Sequence, residues 1–526
     1  MEARESRRRR LVAGVLVVLL AIAGCTSGAS MEPQPSPVTR VPQFVYGKTL
    51  DVITDWDPAC SYSNDIAALQ NIYETLTVWN PVTTSAGPRL ATSWRSSADG
   101  RRWTFQLRKD VLFHTGRKLD ADLVKASVER TKRAKSDAAY IWDPVEAVRV
   151  DGPLTVTFLL SYAVPFDLVV SAGYAAYIYD PAGIDPKGGK DGGSGPYKIG
   201  SWRKGETAEL VLEAFDGYWG GWDDRPHYRR VLFHVSGDQS EHWRRLLRGE
   251  TNFVPRLNSR QYGRATATGG VRTSRTQSFQ ILMLLFNTRT GPLADIRLRK
   301  ALQKAIDYDG LIRALRGSVS PASGIVPRGL SGHQQGLRPS RDLKAAEQLL
   351  RRAGYGPGGR PLTLSLTYAE GDDDQQLLVT SLTRALRWLN VRLEARAMPW
   401  IEQWEQGKKG GQDIFVMYWW PDYADAYSYF GSVFRSSEQP TFNLTFAADA
   451  ELDRLIDSLP VLSATDRKGA ERVYAKLTGR ILDDLALAAV PWVVNYQRGY
   501  SLGIQSYHDN PAYPEVVFVY DLKPSA

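Results

Sequence analysis

Cysteine is nearly missing from this chain. Two residues in 526, Cys25 and Cys60, are too few for a disulfide-built scaffold or a cysteine metal cluster. Histidine is sparse as well: His114, His227, His234, His242, His333 and His508 show no HExxH or related spacing, so neither a metal centre nor another cofactor is expected. There is no GxSxG, and Cys60 lacks a recognisable nucleophile signature, which argues against the common hydrolase designs. The glycine cluster "GGKDGGSG" lacks GxxxxGK[ST] and runs into strand-like sequence, so it reads as a turn and not as a phosphate cradle. Lys and Arg are interspersed with Asp and Glu, and the first 24 residues alone supply +3 of the formal charge of +9, which leaves no nucleic-acid stripe. No apolar run reaches the roughly 20 residues of a membrane-spanning helix. What the chain does have is 43% hydrophobic and 23% charged residues, ample material for two or three folded lobes.

The N-terminus carries an arginine run followed by "LVAGVLVVLLAIA" (Leu11 to Ala23), an apolar core of signal-peptide length. Ile22-Ala23-Gly24-Cys25 resembles the bacterial lipobox, whose cysteine thiol accepts a diacylglycerol. The expectation is a lipoprotein signal peptide over 1–24, lipidation at Cys25, and a Ser/Pro-rich tether over 25–46. The mature chain would then keep Cys60 alone and could form no internal disulfide.

Periodicity organises the rest. Ile66, Leu69, Ile72, Tyr73 and Leu76 recur at helical spacing behind a cap at Asn64 or Asp65. Asp99-Gly100 marks a hairpin with Trp103, Phe105 and Leu107 on one face, and Asp151-Gly152 marks a second. "LDADLVKASVERTK" reads as a helix, and "PEVVFVYDL" near the C-terminus as a strand. From Arg341 the pattern alternates: the helix "RDLKAAEQLLRRAGYG" stopped by Gly354, strand "LTLSLTY", helix "QQLLVTSLTRALRWLN", strand "VRLEARA", helix "WIEQWEQGKK" and strand "DIFVMYWW". Three strands joined through two helices predict parallel β-α-β units, and open α/β sheets bind ligands beyond the carboxyl ends of such strands. At that end stands "YWWPDYADAYSYF" (Tyr418 to Phe430), seven aromatic residues and two carboxylates in thirteen positions. Aromatics usually pack, but a carboxylate behind two indoles needs a compensating partner.

Four stretches in this order, "LATSWRSSADGRRWTFQLRKDVLFHTGRKLDADLVKASVER", "GSGPYKIGSW", "FNTRTGPLADIRLRKALQKAIDYDGLI" and "YWWPDYADAYSYF", are similar to the bacterial extracellular solute-binding protein family five, the receptors of peptide, nickel and related ABC importers. The resemblance runs from about Gly47 to Leu522. It implies an α/β, two-lobed periplasmic-binding-protein-like clamp of the type II peptide-receptor cluster: lobe I over 47–275 with an inserted subdomain at about 80–190, lobe II over 276–492, and a return to lobe I over 493–526. Hinges are expected near Ser274 to Leu284 and Val490 to Tyr496. In peptide-binding members an aspartate in a W-x-x-D-Y pattern pairs with the peptide ammonium. Trp419 to Tyr423 matches that pattern, so Asp422 inherits the role and Trp419, Trp420 and Tyr423 become pocket walls. Pro421 and Trp420 depart from the usual alanine and cysteine there, which bears on ligand size. Asp295, Asp309 and Asp425 read as helix caps, the last for a short helix from Ala426 toward Phe434.

The function this implies is a non-enzymatic, lipid-anchored receptor on the outer face of the cell membrane. It is expected to be a monomer that passes oligopeptides to a permease driven by an ATPase. A non-peptide solute such as an oligosaccharide, an opine-like compound or a metal chelate is the alternative within the family. A sensory lipoprotein is another, and a secreted hydrolase using Asp422 and Asp425 is a third from a different class. Two carboxylates three residues apart give that last reading no defined catalytic separation.

Overall fold

The computed structural model describes residues 42–48, 56–61, 66–185, 190–203, 208–336 and 338–524, apart from the side chains of 137 and 138. The signal sequence, Cys25 and the Asn64/Asp65 cap lie outside them. The stretch expected as tether includes folded structure at its end: Gln43–Lys48 is a strand, with Phe44 and Tyr46 fully buried. It pairs in parallel with Arg230–Val235 on one edge and with Phe253–Val254 on the other, and its uninterrupted buried run from Phe44 to Lys48 shows both faces covered, in place of the alternation that signals a half-exposed strand.

One large sheet carries the molecule. Tyr197–Arg203, Glu209–Ala214, Arg230–Val235, Gln43–Lys48 and Phe253–Val254 form one side, and Ile414–Trp419, Leu362–Ala369 and Val391–Met398 the other. Between them run two long strands, Arg272–Phe286 and Trp492–Tyr500, paired antiparallel from Arg272 opposite Tyr500 to Ile281 opposite Val493. Their register slips between Gln277 and Ile281, a bulge that bends the pair. Ser278 Oγ fills the gap by donating to the Val494 carbonyl (2.8 Å) and accepting from the Gln280 N–H (2.9 Å).

The parallel β-α-β units are present. Leu362–Ala369 pairs in parallel with both Val391–Met398 and Ile414–Trp419, through helices Asp373–Trp388 and Trp400–Lys408. Leu378, Leu382, Ala385, Leu386 and Leu389 are buried on one stripe, as their spacing requires. A separate four-stranded antiparallel sheet, ordered Ala91–Ser96, Arg102–Leu107, Thr155–Leu160, Val145–Gly152, packs against helix Ala121–Ala134, capped by Asp120. Asp99-Gly100 turns its first hairpin, Gly100 taking φ +67°.

Several expectations need correction. The second hairpin turns at Pro153-Leu154 and leaves Asp151 and Gly152 in the strand; proline presets the turn dihedral and cannot donate to the ladder. Asp307 and not Asp309 caps helix Tyr308–Ala314, while Asp309 pairs with Arg338. The helix behind Asp425 is Tyr427–Gly431, shorter than expected. "PEVVFVYDL" forms no strand, because its ladder partner is a side chain: the Asn71 amide donates to the Val517 carbonyl (2.9 Å) and accepts from the Val519 N–H (3.0 Å). In the described part of the glycine cluster, 190–195, the chain makes a close approach to a neighbouring backbone. A Cβ on Gly195 would stand 2.7 Å from the Ile72 carbonyl oxygen and 2.8 Å from that of Asn71.

Candidate ligand-binding cavity

The strand Ile414–Trp419 ends opposite Ile281, immediately past the bulge, and hands the chain to Trp420-Pro421-Asp422. These three residues form one wall of a cavity of about 170 Å³. Gln280, Val494, Asn495, Tyr496 and Arg498 line it from the bulged pair, together with Gly173, Tyr174, Pro255, Arg256 and Glu515. The site thus sits where strand ends meet a break in register.

Asp422 is partly buried and takes hydrogen bonds from two phenols, Tyr140 Oη on one carboxylate oxygen and Tyr174 Oη on the other. Among the described residues no cationic side chain pairs with it. Burial pushes its carboxyl up to about 7, since the charged form has lost water without gaining a counter-charge. Tyr174 is held by a tightly strapped segment. Trp142 Nε1 donates to the Ala175 carbonyl (2.6 Å), Gln70 and Tyr177 donate to that of Gly173 (2.9 and 2.6 Å), and Ala175 sits at φ +57°. A non-glycine residue in that region costs on the order of 1–3 kcal/mol and persists only where its surroundings over-determine it.

The remaining charges are distributed unevenly. Arg498 is fully buried, clamped by Asp509 (3.0 and 3.1 Å) and bonded to the Pro255 carbonyl (2.6 Å). Glu515, at φ +62°, pairs with the buried Lys48 (2.7 Å); burial raises its carboxyl, and Lys48 together with the Arg498 and Arg256 charges more than offsets this, leaving it below the ordinary value. Asn495 is fixed by donating to the Gly317 carbonyl (3.0 Å) and accepting from Ser320 (2.9 Å).

Of the four residues singled out in the W-x-x-D-Y pattern, Asp422 and Trp420 line the cavity, together with Pro421. Trp419 and Tyr423 do not. The Trp419 indole lies edge-on to Phe442 (4.9 Å), and Tyr423 packs against the large core. Asp425 is buried away from the cavity, accepting from the Tyr427 N–H and from Tyr474 Oη (2.8 Å each), and Tyr429 Oη donates to the Phe279 carbonyl that the bulge leaves free. Sequence reasoning missed Tyr140, Tyr174, Arg256, Asn495 and Glu515. None belongs to a motif, and the two tyrosines reach Asp422 across 282 and 248 residues of chain.

Among the described residues no group of three His, Cys, Asp or Glu side chains is arranged to hold a metal ion. Nor, among them, is any helix long and apolar enough to cross a membrane.

Comparison with known proteins places this architecture. The chain is 25% identical over 492 residues to the probable D,D-dipeptide-binding periplasmic protein DdpA of Escherichia coli K12, covering 90% of this chain and 92% of that one. It is 26% identical over 417 residues to di/tripeptide-binding protein 2 of Pseudomonas aeruginosa, covering 72% and 77%. Among solved structures, NikA from Brucella suis in complex with Fe(III)-EDTA superposes with a TM-score of 0.82 at 22% identity, covering 92% of this chain and all of that one. DppA from Helicobacter pylori in complex with the peptide STSA gives 0.75 at 20%, covering 92% and 98%. The fold is therefore the two-lobed α/β clamp of peptide- and nickel-type periplasmic binding proteins. The model of the bacterial extracellular solute-binding proteins, family 5, matches residues 85–441, and this chain belongs to that family of non-enzymatic, extracellular or periplasmic receptors, which serve ABC importers of peptides and related solutes.

Proposed function

We propose that the protein captures short peptides by their free ammonium group at Asp422 and passes them to an ABC permease. The observation that carries this is the Asp422 carboxylate itself, lining a cavity, partly withdrawn from water, and met by hydroxyl donors with no cationic partner among the described residues. Such a group gains from an arriving ammonium, which brings both charge and N–H donors. The cavity's size, below the 300–1,000 Å³ usual for drug-sized ligands, supports a ligand of two or three residues over a long oligopeptide. Trp420 and Pro421 narrow the same wall. The bulged pair Arg272–Phe286 and Trp492–Tyr500 would act as the bend between lobe I (47–275 and 493–526) and lobe II (276–492), and a lipid on Cys25 would hold the receptor at the membrane.

A second reading is a ring-bearing solute, supported by the partly exposed Trp420 indole in the cavity wall. Mass spectrometry of small molecules released on denaturing the purified protein separates the two. Peptides of two or three residues are expected; a sugar or opine-like compound in their place would replace the peptide reading. In calorimetry, Asp422→Ala should weaken free-amine peptides far more than N-acetylated ones, and equal losses would remove the ammonium role.

A further inference from the structure

Charges of both signs are interspersed over most of this chain, but the stretch 251–294 holds six arginines and no Asp or Glu. The fold gathers part of it into one patch. Arg260 and Arg264 lie one turn apart on the exposed face of helix Ser259–Thr268. The Arg275 guanidinium stacks on the ring of Tyr262 from the same helix (4.7 Å), and a Cβ on Gly317 would stand 2.7 Å from it, which brings the turn carrying Arg316 alongside. Ser259 Oγ ties that turn to the helix start through the Leu315 carbonyl (2.9 Å).

None of these four exposed guanidinium groups makes a hydrogen bond or ion pair with a described residue. The preceding helix, Gln239–Leu247, shows the contrast: Arg244 and Arg245 on it and Arg248 just past it face Asp238, Glu241 and Glu250. Protein surfaces ordinarily mix the two signs, and a field of one sign attracts what carries the other. Between the arginines the helix exposes Gly263, Thr266 and Ala267, so no long side chain separates the guanidinium groups from a flat surface.

The patch faces away from the cavity. Arg275 stands opposite Gln497, between the cavity-lining Tyr496 and Arg498, and the period of a strand sends it to the other face of the sheet. Gln43–Lys48, where the tether joins the fold, lies three strands from Arg272–Phe286, about 14 Å at ordinary strand spacing. The stretch from Cys25 to Val41 spans at most about 60 Å, so a lipid on Cys25 brings this face within reach of the bilayer.

We infer that the patch of Arg260, Arg264, Arg275 and Arg316 rests on anionic phospholipid headgroups of the membrane that carries the receptor, with the cavity turned away from it. Each guanidinium offers a phosphate a planar fork of donors. A lipid on a tether anchors without orienting, and the patch fixes which face meets the membrane. Four arginines orient a tethered protein without holding a free one through a salt wash. This goes beyond the ligand reading above and does not rest on it.

The test is co-sedimentation, at low ionic strength, of the full chain carrying Cys25→Ser with vesicles of phosphatidylcholine alone or of a two-to-one mixture with phosphatidylglycerol. Arg260→Gln/Arg264→Gln is compared with Arg351→Gln/Arg392→Gln, which removes the same charge from exposed arginines elsewhere. The parent chain should prefer the anionic vesicles and lose that preference at about 1 M salt. The patch pair should lose roughly 25-fold of the preference, about fivefold per arginine, and the control pair less than about twofold. Amide exchange of the parent chain over 259–275 should slow on anionic vesicles alone, a readout that needs no variant. Equal losses in the two double variants would mark attraction to net charge and overturn the proposal. Unchanged exchange over 259–275 in vesicle-bound protein overturns it as well, since the N-terminal arginines would then carry the binding. So does equal binding, or none, to the two kinds of vesicle.

Discussion

Asp422 offers a prediction in which stability and ligand binding run in opposite directions. Its carboxyl lies at about 7 in the fold against an ordinary 3.8. Between these values the folded chain holds a proton that the unfolded chain has released, so stability falls as pH rises from about 4 and levels off above about 7. At about 1.4 kcal/mol for each pH unit separating the two values, the penalty at pH 8 reaches at most about 4 kcal/mol, and partial exposure of the side chain lowers it. Asp422→Asn keeps an acceptor for the tyrosine hydroxyls and removes the titration. In scanning calorimetry of the unliganded protein, the variant should gain on wild type by about 1 kcal/mol between pH 3 and pH 4.5 and by progressively more toward pH 8. Binding shows the reverse. An ammonium ligand needs the carboxylate, so wild type, about nine-tenths protonated at pH 6, must release close to one proton on binding there, and only about a tenth of one at pH 8. Titration calorimetry in buffers of different ionisation enthalpy reads this number directly, and affinity should drop about fifteenfold from pH 7 to pH 5.5. A wild-type-to-variant stability difference that does not change with pH, or binding without proton release at pH 6, would refute the account of Asp422 as a desolvated carboxylate awaiting a cation.

Two further outcomes test the frame around the site. Gly195→Ala should cost roughly 1–3 kcal/mol and lower the melting temperature, because its Cβ meets the backbone carbonyls of Ile72 and Asn71, whereas Gly152→Ala, with open space around it, serves as the neutral control; equal melting temperatures for both would refute the close-approach role. Cys25→Ser should release the protein from membranes on fractionation, and unchanged retention would count against the lipid anchor.

The fold was legible where local pattern decides it. Leu378, Leu382 and Leu386 announce a helix stripe, and the runs at Leu362–Ala369 and Ile414–Trp419 announce strands buried in a parallel sheet. Pattern failed where a distant group does the work. "PEVVFVYDL" has strand composition, yet its backbone is satisfied by the Asn71 side chain, which no period can foretell. The same division holds at the site. Asp422 was found from a motif, but Trp419 and Tyr423, adjacent in sequence, point into packing, since neighbouring residues leave a strand end on different faces. Tyr140 and Tyr174 come from elements far away in the chain, and each is an ordinary residue until the tertiary structure aims it.

The bulge between Gln277 and Ile281 has a consequence for the order of events in capture. In a clamp that bends there, groups on the axis barely move while groups on the lobes sweep long arcs. Gln280, Asn495 and Tyr496 would therefore offer a ligand the same contacts in the open and shut forms, and would govern first encounter. On the proposed lobe division Asp422 lies off that axis, so it would govern how long the ligand stays. Substitutions at the axis should then act on association rates, and substitutions at Asp422 on dissociation.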